Sequence, residues 1–267
     1  MNVLIPMAGA GARFSRKGYE TPKPLIPLTS RHSLKTIPMV IEAVHDLPID
    51  FNNADTNLIF IVRDSHMKND VDKAILKYYP RAQFVTIGSL TDGQASTCLL
   101  ARGFFDTKKS LMIAACDNGM DLDREAFEKQ TKDADSLIFT FRNNEVVLQN
   151  PEAYGWIRRH GNTVTGVSIK KPISNAPFED HAVVGTFWFR HGHDFFLAAD
   201  KMVDAGDRIN GEFYVDQVFK YLIASGSKID VTEVDRYLCW GTPEDYESYE
   251  ATLAYWARFT EKEGWTK

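Results

Sequence analysis

The patterning of this chain predicts a doubly wound α/β fold whose mostly parallel sheet is extended toward the carboxyl terminus by mixed or antiparallel strands. Three observations lead there. Short apolar runs alternate with helical segments through the first half, as in a parallel sheet covered by helices. The first of these runs empties into a glycine-bearing loop, Ala8-Gly9-Ala10-Gly11-Ala12-Arg13. After Asn143 the pattern changes to strand-like pieces separated by glycine and proline turns.

Taken in order, the apolar runs of the first half are Val3 to Met7, Leu58 to Val62, Gln83 to Ile87, Leu111 to Ala115 and Ser136 to Phe141. Helices are predicted between them over Leu34 to Leu47, Met67 to Tyr79, Gln94 to Phe105 and Asp123 to Lys132. The second half predicts strands at Tyr154 to Arg159, Thr163 to Lys170 and Ala182 to Arg190. Helices at Asp194 to Ala205 and Phe213 to Ser225, a strand at Lys228 to Val234 and a last helix from Pro243 to Phe259 follow. No internal repeat, low-complexity tract or clear linker interrupts this pattern. One domain, 1–267, is expected, with an α/β core over 1–141 and a second half over 142–267.

At 267 residues and 44% hydrophobic the chain can bury one substantial core. Its 36 acidic and 31 basic residues give a net charge of −5, which argues against a nucleic-acid binder dependent on phosphate contacts. Any anion must be met by a local cluster of cations. Cys98, Cys116 and Cys239 lie far apart without a CxxC pair, so neither a zinc site nor a disulfide framework is suggested. The apolar start is too short for a membrane span and lacks a signal peptide's charged flank. A soluble, cytoplasmic protein is expected, with self-association into a homo-oligomer left open.

The glycine loop fits neither of two common phosphate motifs. Phe14 stands where the dinucleotide fingerprint G-x-G-x-x-G needs its third glycine, and no Gly-Lys-Ser/Thr closes a P-loop. Gly9 and Gly11 still allow backbone N–H groups to approach phosphate oxygens, and Arg13 adds a permanently charged fork. Pro22 and Pro24 flank Lys23, whose backbone is expected to be extended because it precedes a proline, with its ammonium exposed on a loop. Together these groups suit a nucleoside triphosphate.

Gly9-Ala10-Gly11-Ala12-Arg13 followed by Pro22-Lys23-Pro24 resembles the opening motif of the nucleotidyltransferases that couple a nucleoside triphosphate to a sugar 1-phosphate or related phosphomonoester. With Phe14, Gly18-Tyr19 and Leu25-Ile26 the form looks most like small bacterial members of capsule and surface-polysaccharide pathways, including those similar to phosphoglutamine cytidylyltransferase. The resemblance implies a Rossmann-like (GT-A-like) sheet, Mg²⁺, a nucleoside triphosphate and a small phosphorylated acceptor, with no nucleic acid and no membrane. It inclines toward a pyrimidine base, cytosine, and divides the chain into a nucleotide-binding core and an acceptor-binding half.

Residue by residue, the resemblance places Ala8, Gly9 and Gly11 on the nucleotide, Arg13 on its β and γ phosphates and Lys23 on the reacting phosphate. It assigns Gly93 and Gln94 of Asp92-Gly93-Gln94-Ala95-Ser96-Thr97 to the nucleobase; a helix cap by Asp92 or Ser96 is the alternative. Asp117, in Cys116-Asp117-Asn118 at a strand's carboxyl end, is expected to hold the metal. Gly155 of Tyr154-Gly155 and Lys171 of Lys170-Lys171-Pro172 match the family's acceptor pocket, although Lys170 replaces its glutamate. Glu212, four residues before Asp216 and so expected on the same helix face, is a further acceptor candidate.

Trp240-Gly241-Thr242-Pro243-Glu244-Asp245 resembles the family's closing turn, with Thr242 a natural N-cap and Pro243 at the first helical position. Cys239 stands where many relatives carry a second metal-binding aspartate. Asp235 on the same strand would lie about 13 Å away and is no simple substitute. Asp121 and Asp123 form a D-x-D, which suits a metal site less well than a helix cap. Two competing functions stay in view. A glycosyltransferase of similar fold would use such a D-x-D on a nucleotide-sugar, and a nucleotide-sensing protein would bind without turnover.

Overall fold

The structure, a computed structural model, describes residues 1–262 and is organised on a nine-stranded sheet. Strand β1 (Asn2–Pro6) leads through the glycine loop into a short helix, α1 (Ala12–Arg16). A 3-10 turn at Lys23–Leu25 and the hairpin of β2 (Pro27–Thr29) and β3 (Thr36–Pro38) precede α2 (Met39–His45). Then come β4 (Asn57–Arg63), α3 (Asp64–Lys68), α4 (Val71–Leu76), β5 (Gln83–Ile87) and α5 (Gln94–Leu99). The chain continues through β6 (Leu111–Ile113), β7 (Asn118–Asp121), α6 (Arg124–Asp133) and β8 (Ser136–Phe141).

The second half opens with α7 (Val146–Gln149), β9 (Gly155–His160), β10 (Thr163–Ile169) and β11 (His181–Phe189). Helices α8 (Gly192–Asp204) and α9 (Val215–Ala224), strands β12 (Ile229–Glu233) and β13 (Arg236–Cys239) and the long α10 (Pro243–Lys262) complete it. No helix among the described residues is long and apolar enough to cross a membrane.

Across the sheet the order is β5, β4, β1, β6, β11, β8, β12, β10, β9. The first four strands are parallel, as the alternation of runs and helices predicts. β11 then enters antiparallel between β6 and β8, and β9 pairs both β10 and β11, so the last five strands close on themselves. The stretches 1–141 and 142–262 therefore share one sheet, with β11 of the second separating two strands of the first. The period of two sorts the core: Val3 and Ile5 face the α2, α4 and α6 side with Val40, Ile75 and Phe127, whereas Leu4 faces Ala95, Phe195 and Phe219 on the other.

Several helices are shorter than the patterning predicts. The stretch from Leu34 first turns back, Leu34 lying at φ 56, and runs as β3 before Pro38 starts α2. The helix expected over 67–79 is broken at Asp70, at φ 56, into α3 and α4. α5 stops at Leu99 and is followed by a separate 3-10 turn at Arg102–Phe104. The antiparallel pair β7–β13, outside the main sheet, was not anticipated, because it joins segments far apart in sequence.

That pair is held from behind by a buried charge network. Asp46 Oδ1 lies 2.6 Å from Arg31 Nη2, and its Oδ2 accepts from the Met120 N–H at 3.0 Å. Arg31 also pairs with Asp121 and donates to Met120 O at 2.9 Å, while its own N–H donates to the buried Glu42 at 3.0 Å. Removing one member of a buried pair leaves the other uncompensated. Asp46→Ala is expected to lower stability by about 3–5 kcal/mol, read as a drop in the urea midpoint at unchanged m-value.

Candidate active site

The carboxyl ends of the parallel strands β4, β1 and β6 open onto two adjoining clefts, where an open α/β sheet usually binds its ligands. The first, about 390 Å³, is lined by Gly9, Gly11 and Lys23 on one side and by Arg63, His66 and Asn69 on the other. The second, about 240 Å³, is lined by Arg13, Tyr154, Gly155, Lys170, Asp216 and Asp245 among others. Gln94, Ala115 and Asp117 line both.

Lys23 sits at this shared wall. Its Nζ donates to Asp117 Oδ2 at 2.6 Å and to Gly241 O at 2.9 Å, with the Phe14 ring centroid 5.2 Å away. The side chain is only 17% exposed, so the expectation of a free loop lysine is corrected. Its backbone opens the 3-10 turn instead of lying extended; Pro22 is the extended residue. Burial works against the ammonium, but the groups around it, Asp117 foremost, together hold Lys23 above its ordinary pKa.

Around the loop, Gly11 takes φ 63 and accepts from the Phe14 and Ser15 N–H groups, which starts α1. Gly9 has open space where a side chain would be, whereas Ala8 is 5% exposed and packs into the core on the α5 side. Arg13 is exposed and faces the second cleft with Lys170, not the glycine side where it was expected.

Gly93 has a structural duty. At φ 104 it passes so close to Phe213 that a Cβ would fall 2.6 Å from Phe213 O, and it is itself the N-cap of α5 without a side-chain cap. Asp92 and Ser96 are therefore not the cap; Asp92 pairs with Arg208 at 2.8 Å. Gln94 faces both clefts. Gly155 makes room for a carboxylate, since a Cβ there would lie 2.1 Å from Asp216 Oδ2.

Of the two lysines after β10, both expected at the acceptor pocket, only Lys170 lines a cleft. Lys170 adopts φ 59, and this left-handed turn directs it into the second cleft, where Nζ donates to Ala153 O at 2.7 Å and lies over the Tyr214 ring. Lys171 is exposed and lines neither cleft. Glu212 likewise lies outside: it is exposed in the turn before α9, accepts from Tyr214 OH and does not share a helix face with Asp216. Lys220 pairs with Asp207 at 2.7 Å instead of extending a row.

Asp216 faces the second cleft at 9% exposure, its carboxylate met by backbone hydrogen bonds at Asp216 and Gln217. Burial pushes its pKa up to about 6, partly offset by Lys170. Burial also lowers the pKa of Lys170, with Asp216 opposing and Arg13 reinforcing the shift.

The remaining acids have structural partners. Thr242 and Asp245 form a reciprocal cap at the start of α10, Asp245 N–H donating to Thr242 Oγ1 at 3.2 Å and Thr242 Oγ1 to Asp245 Oδ2 at 2.7 Å. Cys239 Sγ donates to the same carboxylate at 3.3 Å, and burial pushes its pKa up to about 12, so it is a neutral thiol. Asp123 caps α6, and Asp121 is held by Arg31 and Arg236. Asp235 N–H donates to Asp121 O, away from both clefts. Asp117 is the one carboxylate common to both clefts among the described residues.

Sequence reasoning overlooked Arg63, His66 and Asn69. Their signal was available in principle, because they follow the carboxyl end of the second apolar run, where ligands gather.

No protein-family model matches the chain, and no curated protein sequence is recognisably similar to it. Solved structures are. A nucleoside-diphosphate-sugar pyrophosphorylase from Vibrio cholerae RC9 superposes with a TM-score of 0.76 at 22% identity, over 93% of this chain and 99% of that one. A Bacillus anthracis protein assigned as a glucose-1-phosphate thymidylyltransferase, in complex with sucrose, gives 0.70 at 18% identity over 94% of each chain. The inositol-1-phosphate CTP transferase from T. maritima gives 0.68 at 12% identity over 93% of each. The chain shares their fold.

The pKa of Asp216 carries a stability consequence with a definite sign. Raised from 3.8 to about 6, it contributes stability that is fully present below pH 3.8 and lost as pH rises through about 6. Asp216→Asn removes that dependence. Urea unfolding of both proteins across this window is expected to show the wild type losing stability relative to the variant as pH rises.

Proposed function

We propose that this protein is a Mg²⁺-dependent nucleotidyltransferase that joins a nucleoside triphosphate to a small phosphomonoester and releases pyrophosphate. The contact between Lys23 and Asp117 at the wall common to two clefts carries this reading. It sets one ammonium and one carboxylate where a triphosphate in the first cleft and a phosphate in the second would meet. The shared fold with nucleotide-sugar pyrophosphorylases and a CTP transferase supports it. By the same reading 1–141 supplies most of the donor side and 142–267 most of the acceptor side, and the product is an activated precursor for surface polysaccharide or capsule.

An oxygen of the acceptor phosphate attacks the α-phosphorus. The bond from that phosphorus to the bridging oxygen of the β-phosphate breaks, and pyrophosphate leaves with the electron pair. The attacking group is already an anion, so positioning and charge neutralisation, not a strong base, supply the catalysis. Lys23 holds the reacting phosphate, exchanging Asp117 for phosphate oxygen as its partner. Gly9 and Gly11 let the loop backbone approach the donor phosphates, while Arg13 and Lys170 face the acceptor phosphate from the second cleft.

Asp117 is a single carboxylate, which suits Mg²⁺, an ion that usually takes one or two carboxylates and completes its shell with water and substrate phosphate oxygens. Bound there, the ion would neutralise charge on the phosphates. Cys239, a neutral thiol donating to Asp245, does not fit the role of a second ligand. A nucleotide-sugar transferase would need its D-x-D in a cleft, and the partners of Asp121 and Asp123 argue against that.

Pyrophosphate release, measured for each common NTP against a panel of phosphomonoesters, tests the reaction. Release is expected for at least one pair, and NTP binding without release from any pair would count for a sensor. Lys23→Ala is expected to lower kcat by at least about 10²-fold, with a reduced melting temperature because a buried pair is lost. Wild-type turnover in that variant would sink the role of Lys23. Lys170→Ala is expected to raise the acceptor KM about tenfold, the cost of one charge-assisted contact, whereas Lys171→Ala leaves it unchanged.

A further inference from the structure

The charge network behind β7 contains two carboxylates and an imidazole that no step of the proposed chemistry uses. Glu42 lies inside α2 and Asp46 is its C-cap, four residues on, so the two share a face. Their side chains are 0% and 1% exposed. His32, on the turn between β2 and β3, brings its Nε2 to 2.8 Å from Asp46 Oδ1 and 4.0 Å from Glu42 Oε1. One nitrogen of His32 and one oxygen of each carboxylate all lie within 4.8 Å of one another. None of the three residues lines either cleft.

Two features set this cluster apart from an ordinary buried ion pair. The first is its charge. Among the described residues Arg31 is the one permanent cation in contact with Glu42 or Asp46, and it is shared with Asp121, whereas Arg236 reaches only Asp121. Buried negative charge is thus under-compensated, which is costly. The second is Glu42 itself. Its Oε1 accepts from the Arg31 N–H at 3.0 Å, but its Oε2 is buried and makes no hydrogen bond of ordinary length among the described residues. The polar groups beside it are the Ser30 hydroxyl and the His45 ring, whose Nδ1 stands 3.9 Å away.

We propose that His32, Glu42 and Asp46 form a site for a divalent ion of the Zn²⁺ class, separate from the Mg²⁺ assigned to Asp117. Nitrogen and oxygen ligands lie about 2.0–2.2 Å from Zn²⁺, so two ligands of one ion stand about 3–4 Å apart. Separations of 2.8 and 4.0 Å sit at the two ends of that range, and His32, exposed on its turn, is the ligand free to adjust. An imidazole beside carboxylates suits Zn²⁺ or Co²⁺ better than Mg²⁺, which takes oxygen ligands. The exposed rings of His32 and His45 leave the cluster open to solvent, which gives the ion an entry path. Arg31, 2.6 Å from Asp46 Oδ1, repels the ion and limits its affinity, so the ion is exchangeable. Its role is structural. Asp46 Oδ2 accepts from the Met120 N–H, so an ion on the other oxygen ties the β2–β3 hairpin and α2 to β7, which begins one residue after Asp117.

Equilibrium dialysis of the whole chain against Co²⁺, with visible absorption as a second readout, tests the site without substrate. The wild type is expected to bind Co²⁺ with the absorption of an imidazole-ligated ion and to melt at a higher temperature in its presence. Asp117→Asn, which removes the proposed active-site ligand, is expected to keep both effects. His32→Ala, at an exposed position, is expected to weaken binding at least about tenfold and to abolish the gain in melting temperature. Glu42→Gln, which keeps the side-chain shape and removes the charge, is expected to do the same. No Co²⁺ binding by the wild type would overturn the proposal, as would binding that either variant leaves at wild-type strength. Loss of binding in Asp117→Asn alone would place the ion at the clefts and overturn it too. With no nucleotide present, none of these outcomes decides nucleotidyl transfer, which pyrophosphate release tests separately.

Discussion

The ion pair between Lys23 and Asp117 is the contact on which the arrangement of both clefts depends. It joins the proline-flanked turn after the glycine loop to the segment following β6, and the bond from Lys23 to Gly241 O adds the turn before α10. Trp240 N–H donates to Asp117 O at 3.0 Å, so the carboxylate is fixed from its backbone as well. A buried pair of this kind is weak evidence for stability, because the attraction must first offset two desolvations. Its value lies in geometry. It keeps a largely buried ammonium charged at the wall between two clefts, with a partner that, on the proposed reaction, an incoming phosphate would replace.

Behind that pair stands a second layer of charge that never reaches a cleft. The network of Arg31, Asp46 and Asp121 clamps the β2–β3 hairpin and α2 against β7, and β7 starts one residue after Asp117. Gly119 shows how tight this layer is, since a Cβ there would lie 2.6 Å from Asp46 Oδ2 and 2.8 Å from the Trp240 ring. The position of Asp117 is thus set by packing and hydrogen bonds on the side away from substrate. The cleft side of its carboxylate is left to Lys23.

Features encoded by local chemistry were legible in the sequence. The glycine loop after the first strand, the parallel start of the sheet and the cap made by Thr242 with Pro243 depend on neighbours a few residues apart, and they stand where the patterning put them. Features that depend on distant pairing were not. Insertion of β11 between β6 and β8, the β7–β13 pair and the burial of Lys23 under Gly241 arise only when remote segments meet. That Lys170 and not Lys171 lines the second cleft goes with the left-handed backbone at Lys170, and a non-glycine residue in that region is a choice that composition does not announce.

On the proposed function, the distribution of charge accounts for how an acidic protein would present a site for polyanions. A formal charge of −5 would repel phosphates at long range, but salt screens exposed charges beyond roughly 8–10 Å. Within that distance of a ligand, local groups decide. Lys23, Lys170, Arg13 and Arg63 are spread along the two clefts, and among the described residues only Lys23 of these four has a carboxylate in direct contact. Lys170 is held by a backbone carbonyl, which orients its ammonium without cancelling its charge. Lys23 and Lys170 are therefore held in place, and on the proposed reaction they remain able to donate to phosphate oxygens. Of the acids facing the second cleft, Asp245 is taken up by Thr242 and Cys239, so on the proposed reaction Asp216 is the one placed to meet hydrogen-donating parts of an acceptor. A substrate pair that brings negative charge to the shared wall and hydrogen-bond donors to the periphery is the combination this pattern accommodates.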